Sequence, residues 1–291
     1  MDATIKAPYF APECQLPAPL PTPEQIAASA DVLLETDYHC RVVRVGDYVV
    51  KYGQLVKLTE AETMLFLKQV QKDIPVPQIY AFYSTVENGK TVKYIIMEYI
   101  PGQSLDKCWP NLQPGEKLRI AQQLRTHLDL LRSIPAPEYF GCVGRKPYNN
   151  GFLWPETIGQ SEEDKNTSGP FESEAELTES LVKSTIRHMG DDEYRISFFR
   201  RVLSDVLRNN RAVFTHGDLQ KKNIMMRQDG SVVLIDWEYS GWCPEYMEYT
   251  SAMVLCRQFD DDYNDHLAMA LDSYNAELGW MEMIIKTVRF G

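Results

Sequence analysis

The stretch FTHGDLQKKNIMMRQDGSVVLIDWE, residues 214–238, carries the pattern that decides both the predicted fold and the predicted site. Its middle, Asp229-Gly230, favours a two-residue hairpin turn with positive φ at both positions. Counting outward from this turn pairs Asn223 with Asp236 at the open end of the hairpin. Asp218 comes five residues before Asn223, on the loop that enters the same end. We therefore expect three oxygen-bearing side chains to converge within one short segment.

Asn223 and Asp236 are candidate metal ligands, because amide and carboxylate oxygens are ligands that suit magnesium. The order of the residues is as informative as their chemistry. The pattern H-x-D-x-x-x-x-N, followed by a later Asp, is the spacing of the catalytic segment of kinases. It runs here from His216 through Asp218 to Asn223, with Asp236 as the later acid. The segment therefore matches the kinase pattern as a constellation rather than at a single residue.

A second hairpin is predicted for RVVRVGDYVVKY, residues 41–52, with its turn at Gly46-Asp47. Side chains alternate between the two faces of a strand, so Lys51 and Val49 face away from Tyr48, Val50 and Tyr52. A lysine in the centre of a valine-rich strand is unusual in a globular protein. Lys51 is therefore a candidate functional residue.

The remaining pattern predicts a strand-rich part followed by a helical part, which makes the fold class α+β. The first part has a proline-rich arm over 1–24, a helix that begins at Pro23, a helix over 59–71, and strands over 74–83 and 93–100. Glu87-Asn88-Gly89 is predicted to form the turn between these two strands. The second part has helices over 114–134, 175–189, 192–209 and 245–290, and a loop insertion over 141–174. We expect a small N-terminal lobe over 1–97, a hinge over 98–102 that ends at Pro101-Gly102, and a larger C-terminal lobe over 103–291.

Composition narrows the classes of partner. The chain has 291 residues and a formal net charge of -11. This charge argues against nucleic acid as a partner, because proteins that bind nucleic acid normally cluster positive charge. Its 6 cysteines form no C-x-x-C pair, which argues against a zinc ribbon or disulfide scaffold and favours a reducing compartment. No leader peptide or membrane span is predicted. We expect a cytoplasmic protein that acts on a small molecule, with no obligatory protein partner.

The blocks HGDL, Asn223 and IDWE together resemble the aminoglycoside phosphotransferase/choline kinase family of the protein-kinase-like superfamily. The blocks VVKYG, EAETMLFL, IPVPQIY and GWCPEYMEY resemble the branch of that family that is abundant in fungi, and the similarity covers about residues 40 to 260. The resemblance implies a bilobal protein-kinase-like fold with a small antiparallel-sheet N-lobe and a larger, mainly helical C-lobe. It also implies that ATP, with Mg²⁺, donates its γ-phosphoryl group to a hydroxyl of a small molecule.

The same resemblance implies roles for individual residues. Asp218 corresponds to the catalytic carboxylate that orients or deprotonates the acceptor hydroxyl, and Asn223 and Asp236 correspond to the magnesium ligands. Lys51 corresponds to the lysine that holds the α- and β-phosphates, and Glu60 to the helix glutamate that pairs with it.

The hinge is the last part of the implied nucleotide site. Met97-Glu98-Tyr99-Ile100 corresponds to it, and backbone groups near Glu98 and Ile100 would hydrogen-bond adenine.

Several departures from protein kinases point to a small-molecule substrate. Gly217 replaces the arginine before the catalytic Asp, Gln220 replaces a lysine, and Trp237-Glu238 follows Asp236 in place of Phe-Gly. No A-P-E segment follows. The chain also lacks a G-x-G-x-x-G loop, and residues 36–39 are the candidates to cover the phosphates in its place.

Some alternatives stay open at the level of sequence. Thr59-Glu60-Ala61-Glu62 fits a capping box, in which Glu62 would cap the helix from position N3. This structural role for Glu62 favours Glu60 as the partner of Lys51. His216 is expected to hold the loop rather than to move a proton. The acidic run from Asp260 to Asp265 could bind an amine substrate, although helix N-termini are often acidic without a ligand.

The function has a runner-up in a different class. A catalytically inactive nucleotide-binding pseudokinase module is the alternative to an enzyme, but the presence of all four key residues disfavours it: Lys51, Asp218, Asn223 and Asp236. A metal-dependent hydrolase is disfavoured because the 5 histidines show no zinc-site spacing.

Overall fold

A computed structural model describes residues 6–36, 40–151, 153–154, 167–189, 193–256 and 261–290. Its N-terminal part carries a six-stranded antiparallel sheet with the strand order β1-β5-β6-β4-β3-β2. The strands are β1 (Tyr9–Phe10), β2 (Val32–Thr36), β3 (Cys40–Val45), β4 (Tyr48–Gly53), β5 (Ile79–Glu87) and β6 (Lys90–Glu98).

The predicted turns of this sheet are confirmed. Gly46-Asp47 joins β3 to β4 with Gly46 at φ +62°, and Asn88-Gly89 joins β5 to β6 with both residues at positive φ. The strand predicted from residue 74 begins only at Ile79, because Pro75 and Pro77 have no N–H to donate to a ladder.

The two faces of β4 contact different parts of the molecule, as the alternation predicts. Tyr48 and Val50 are buried on one face with Ile26, which lies on the short helix α1 (Pro23–Ala27). Val49 packs on the opposite face against the main core, and Lys51 points towards helix α2 (Thr59–Val70). The sheet thereby directs a single buried ammonium at one helix.

The helix predicted to continue beyond Pro23 is much shorter than expected. It ends at Ala27, and residues 32–36 form the edge strand β2 against β3. Pairing with β3 gives this segment backbone hydrogen bonds, and tertiary contacts of this kind commonly override a weak helical pattern. The proline-rich arm adds β1 to the other edge, where Tyr9 stacks on Phe82 with ring centroids 5.6 Å apart.

The C-terminal part is mainly helical, as predicted. Its helices are α3 (Leu105–Cys108), α4 (Pro114–Arg132), α5 (Glu174–Met189), α6 (Glu193–Val206), α7 (Met247–Leu255), α8 (Tyr263–Ala270) and α9 (Asn275–Phe290). Short strands complete it: β7 (Gln103–Ser104), β8 (Ala212–Thr215), β9 (Ile224–Met226), β10 (Val232–Leu234) and β11 (Gly241–Pro244). No helix in the described ranges is both long and apolar enough to cross a bilayer. The lobe boundaries at 97/98 and 102/103 stay a prediction.

One hydrophobic core joins the two parts. Met64 and Leu67 of α2 belong to the same buried cluster as Leu124 of α4 and Trp237. A second cluster lies among α5, α6, α7 and α9. Because α2 shares the main core, its position relative to the C-terminal part is set by packing as well as by polar contacts.

Gly102 lies where the chain leaves the sheet and passes close to β9. A Cβ atom at this position would lie 2.2 Å from the carbonyl oxygen of Met226, a backbone atom that cannot move away alone. We expect Gly102→Ala to lower the free energy of unfolding by about 1–3 kcal/mol, the usual cost of overpacking. Urea unfolding followed by fluorescence measures it.

The matched control is Gly115→Ala in the first turn of α4, where no atom lies within 4 Å of the added Cβ. This change is expected to be neutral or to stabilise by up to about 1 kcal/mol. Equal unfolding midpoints for the two variants would contradict the close approach at Gly102.

Candidate active site

The hairpin of β9 and β10 differs from the predicted one at its turn. Arg227 N–H donates to Ser231 O at 2.9 Å, so the loop contains three residues rather than two. Of these three residues, all of them described, Gly230 alone has a positive φ (+80°). A type I turn followed by a left-handed glycine has this form. The predicted two-residue turn with positive φ at Asp229 is therefore wrong.

The extra loop residue shifts the register by one, and the predicted pairing of Asn223 with Asp236 is wrong. Asn223 lies opposite Ile235 instead, and Ile235 N–H donates to Asn223 O at 2.9 Å. A one-residue slip normally turns side chains to the opposite face. Here Asp236 has a left-handed backbone (φ +64°), and Asn223 ends a short 3-10 turn. These irregular positions, not a regular ladder, orient the two candidate metal ligands.

Asp218 is buried and is held by its own loop. Gln220 Nε2 donates to its carboxylate at 2.7 Å, Asn223 Nδ2 donates to its backbone oxygen at 3.1 Å, and its N–H donates to His216 Nδ1 at 3.2 Å. His216 Nε2 lies 3.1 Å from Ile235 O, which makes this nitrogen the protonated one. The imidazole thus spans from the catalytic loop to the strand that precedes Asp236, in keeping with a positioning role.

Glu248 on α7 fixes the same loop, and the sequence analysis missed it. Its carboxylate accepts from the N–H of His216 at 2.7 Å and from the N–H of Gly217 at 2.9 Å. The residue is 2% exposed, so these two amides have little access to water. An acid within the apolar run around α7 was the signal in the sequence, since a buried carboxylate requires partners.

Gly217 has a steric reason to be glycine. Its φ is +85°, and a Cβ there would lie 2.9 Å from the carbonyl oxygen of Tyr239. The arginine that protein kinases carry at this position would meet the same obstacle. The departure noted in the sequence is thus built into the backbone.

Lys51 and Glu60 meet as predicted, in a cluster with two acids that follow β10. Lys51 Nζ lies 2.7 Å from Glu60 Oε2, 2.7 Å from Asp236 Oδ1 and 3.3 Å from Glu238 Oε2. The structure therefore joins strand β4, helix α2 and the hairpin through one ammonium group. Glu238 is a member that the sequence analysis missed, although the spacing D-x-E in IDWE could have suggested it.

The charges in this cluster are strongly coupled. Burial opposes the charged form of Lys51, yet the three carboxylates outweigh it and hold the lysine pKa well above its usual range. Burial also opposes ionisation of Asp236, but Lys51 keeps the pKa of this carboxyl below its ordinary value. At Glu60 burial dominates and raises the pKa to about 7. One ammonium does not neutralise three acids, so the cluster has surplus negative charge.

This surplus fits a divalent cation. Glu60, Asp236 and Glu238 each offer a carboxylate oxygen, and these oxygens lie within 4.8 Å of one another. The amide nitrogen of Asn223 is occupied by Asp218 O, so this side chain has its oxygen to offer as a ligand. Oxygen donors of this kind fit magnesium, which is commonly bound through one or two carboxylates and keeps several waters.

The predicted hinge residues lie at the end of β6. Glu98 is three residues beyond Ile95, the partner of Lys51, or about 10 Å along the strand. Glu98 N–H donates to Gln78 O at 2.8 Å, and its carboxylate accepts from Gln78 N–H at 3.1 Å. Ile100 is buried, and within the described ranges its N–H has no hydrogen-bond acceptor, which leaves it available to a ligand.

The predicted capping box at Thr59 is wrong. Helix α2 has Leu58 at its N-cap without a side-chain cap, and Thr59 is already helical. Its hydroxyl accepts from Asn149 Nδ2 at 2.6 Å, and Glu62 forms an ion pair with Lys146. The Thr59 hydroxyl and the Glu62 carboxylate, which a local cap would use, bond to residues distant in the sequence instead.

The acidic run before α8 is largely neutralised. Asp261 forms an ion pair with Lys221, and Asp262 accepts from Lys117 at 2.6 Å and from Trp109 Nε1 at 2.9 Å. These contacts support a structural role over an amine site. Asp260 and the phosphate-covering candidates at 37–39 lie outside the described residues.

Comparison with known proteins identifies the family. The sequence profile of the phosphotransferase enzyme family, APH, matches residues 31–283, which is most of the chain. The chain belongs to this family. Among curated proteins, a subtelomeric hrmA-associated cluster protein of Aspergillus fumigatus is 39% identical over 83 residues, or 28% of this chain. The match spans only 16% of that relative's length, and a second strain has the same match.

Solved structures show the same fold. The apo form of a thermostable mutant of aminoglycoside phosphotransferase APH(4)-Ia has a TM-score of 0.55 at 16% identity, covering 91% of this chain and 87% of that one. The streptomycin-ATP ternary complex of APH(2")-IIa has a TM-score of 0.52 at 15% identity, covering 89% and 83%. The bilobal protein-kinase-like fold expected from the sequence is therefore confirmed.

Glu248→Ala is expected to disorder the catalytic loop. It would leave two buried N–H groups without an acceptor, at a cost of about 1–3 kcal/mol each. We expect a lower unfolding midpoint in urea, together with a loss of phosphotransferase turnover.

The matched control is Glu245→Ala, which removes an acid three residues away that pairs with the exposed Arg211. A surface pair of this kind contributes about 1 kcal/mol or less. If both variants unfold at the same urea concentration, Glu248 does not support the loop.

Proposed function

We propose that the protein is an ATP-dependent phosphotransferase that transfers the γ-phosphoryl group to a hydroxyl of a small molecule. The observation that carries this proposal is the meeting of Lys51 with Glu60 and Asp236 beside a loop that buries Asp218. Family membership supports the class of enzyme. The acceptor we propose is an aminoglycoside-like or choline-like alcohol, or another hydroxylated metabolite.

In this proposal each residue has one task in positioning or in neutralising charge. Lys51, held by Glu60, binds the α- and β-phosphate oxygens of ATP. Asn223 and Asp236 would hold Mg²⁺, which would supply positive charge to neutralise the phosphates of the nucleotide. Backbone groups near Glu98 and Ile100 form hydrogen bonds with adenine, as acceptor and as donor.

Asp218 acts on the acceptor. Its carboxylate orients the attacking hydroxyl and accepts its proton as the new oxygen–phosphorus bond forms and the bond to ADP breaks. Gln220 Nε2 donates to one carboxylate oxygen at 2.7 Å. Among the described residues the other oxygen has no hydrogen-bond partner, so it can face the substrate. The protein provides alignment, and the Lys51 ammonium meets the negative charge of the phosphates.

Related structures support the use of a nucleotide. One is a ternary complex of the APH(4)-Ia mutant with ADP and hygromycin B, and another is the streptomycin-ATP complex of APH(2")-IIa. The surplus of acid around Lys51 supports magnesium. All 6 cysteines are free thiols, which supports the proposed cytoplasmic location.

Asp218→Asn is expected to lower turnover by about 10²–10⁴-fold, the usual contribution of a positioned base. A coupled ADP-release screen over aminoglycosides, choline-like alcohols and other hydroxylated metabolites identifies the acceptor and serves as the assay. The affinity for Mg²⁺ with AMP-PNP, measured by calorimetry, should stay within about twofold, because Asp218 does not contact the nucleotide.

Wild-type turnover in Asp218→Asn would refute the catalytic assignment. Tight binding of AMP-PNP by the wild type, without transfer to any acceptor in the screen, would favour the pseudokinase alternative instead.

Asp236→Asn is expected to weaken the magnesium dependence of AMP-PNP binding by about tenfold or more, because a neutral amide replaces a carboxylate ligand. Titration of Mg²⁺ at fixed AMP-PNP measures this change. Asp229→Asn is the matched control, because this turn acid accepts hydrogen bonds from Ser231 and, within the described part of the chain, from no other residue. Identical Mg²⁺ titrations for the two variants would exclude Asp236 as a ligand.

A further inference from the structure

Helix α2 carries Glu60, and residues of the C-terminal part contact one of its faces at positions 59, 62 and 66. Thr59 accepts from Asn149, Glu62 pairs with Lys146, and the ring of Phe66 contacts the rings of Phe214 and Trp242. Positions 59, 62 and 66 lie on the same side of a helix. These contacts therefore restrain the rotation of α2 about its axis as well as its distance from the C-terminal part.

The ion pair of Glu62 with Lys146 is the polar centre of this face. The Glu62 side chain is only 5% exposed, whereas that of Lys146 is 34% exposed. A carboxylate so deeply buried is costly unless it is paired, so the position of α2 depends on where Lys146 lies. Lys146 lies in a tight turn, since its N–H and C=O bond to Cys142 at 3.3 and 2.8 Å.

The turn that carries Lys146 is itself fixed to strand β11. Gly141 and Trp242 exchange backbone hydrogen bonds of 3.1 and 2.8 Å, and the Tyr148 hydroxyl donates to Trp242 O at 2.5 Å. Tyr148 is buried and its ring stacks on Trp154. The segment 139–150 is thus an ordered strap on the C-terminal part, although its composition predicts only a loop.

Asn149 connects α2 directly to the metal-binding segment. Its Nδ2 donates to Thr59 Oγ1 at 2.6 Å and also to the backbone oxygen of Glu238 at 3.2 Å. One amide group therefore bridges the residue before Glu60 and the residue two places after Asp236. Glu60 and Asp236 both contact Lys51 at 2.7 Å. Glu60 is one residue from a hydrogen-bond partner of Asn149, and Asp236 is two residues from the other.

We propose that Lys146 and Asn149 are positioning residues, which keep Glu60 on Lys51 by holding helix α2. The inference rests on the proposed phosphotransferase function and assigns to the strap a task within the same site. Because Glu60 lies between Thr59 and Glu62, a movement of α2 that separates Glu60 from Lys51 must also break these two contacts. The strap thereby presets the lysine for the phosphates of the nucleotide.

Comparing the affinity for a nucleotide with the affinity for its nucleoside distinguishes this positioning role from a purely structural one. Lys51 would contact phosphates and not the nucleoside, so loosening α2 weakens AMP-PNP binding and leaves adenosine binding unchanged. We expect Lys146→Ala and Asn149→Ala each to raise the Kd of Mg²⁺·AMP-PNP about tenfold, with adenosine affected less than about twofold. Calorimetric titration of both ligands, well below the unfolding temperature, measures the ratio.

Three further variants make the experiment specific. Lys146→Arg keeps the ion pair and should restore AMP-PNP affinity to within about threefold of wild type. The double variant Glu62→Gln/Lys146→Met removes both charges, so no buried acid is left unpaired, and it should fold yet still lose AMP-PNP affinity. Glu172→Gln breaks the neighbouring Arg145–Glu172 pair, whose side chains are exposed, and should leave both affinities unchanged.

The outcomes are distinct. Wild-type AMP-PNP affinity in Lys146→Ala, Asn149→Ala and the folded double variant would overturn the proposal, as would a parallel loss of adenosine affinity in all three. If the wild type itself does not bind Mg²⁺·AMP-PNP, the proposed function fails, and the positioning role that rests on it fails for that separate reason.

Discussion

The contact of the Lys51 ammonium with Glu60 and Asp236 is the interaction on which the rest of the structure depends. It lies at the junction of three elements that are distant in sequence, and each reaches it under a different constraint. Strand β4 orients Lys51 by alternation, helix α2 presents Glu60, and the left-handed backbone at Asp236 turns its side chain inward. Because Lys51 and Glu60 are buried and the cluster carries excess acid, the cluster depends on its partners staying in place and suits an added divalent cation.

The other half of the site depends on buried polar groups rather than on ion pairs. Glu248 accepts from two successive backbone N–H groups, and His216 spans to Ile235, so the loop that carries Asp218 has little freedom. Such preorganisation is what phosphoryl transfer requires, since the protein contributes alignment and charge more than covalent chemistry. The two halves meet at the hydrogen bond between Ile235 and Asn223.

The sequence was informative wherever the residues of a short segment determine its local conformation. The hairpins at Gly46-Asp47 and Asn88-Gly89, the face of Lys51 and the long helices follow from local periodicity and turn chemistry. The register of the catalytic hairpin did not, because Asp229-Gly230 is compatible with two- and three-residue loops. Edge strand β2 and the capping box of α2 were also mispredicted, since their backbone and side-chain partners lie elsewhere in the chain.

By itself, the sequence determined the class of fold, the family, and the residues that we propose for phosphoryl transfer, because these are expressed in local spacing and alternation. The tertiary structure alone decided how those residues are held: Glu238 on Lys51, Glu248 on the catalytic loop, and Lys146 and Asn149 on helix α2. These contacts join groups 31 to 187 residues apart. No local pattern encodes such pairs, since burial and charge compensation arise only when the core has formed.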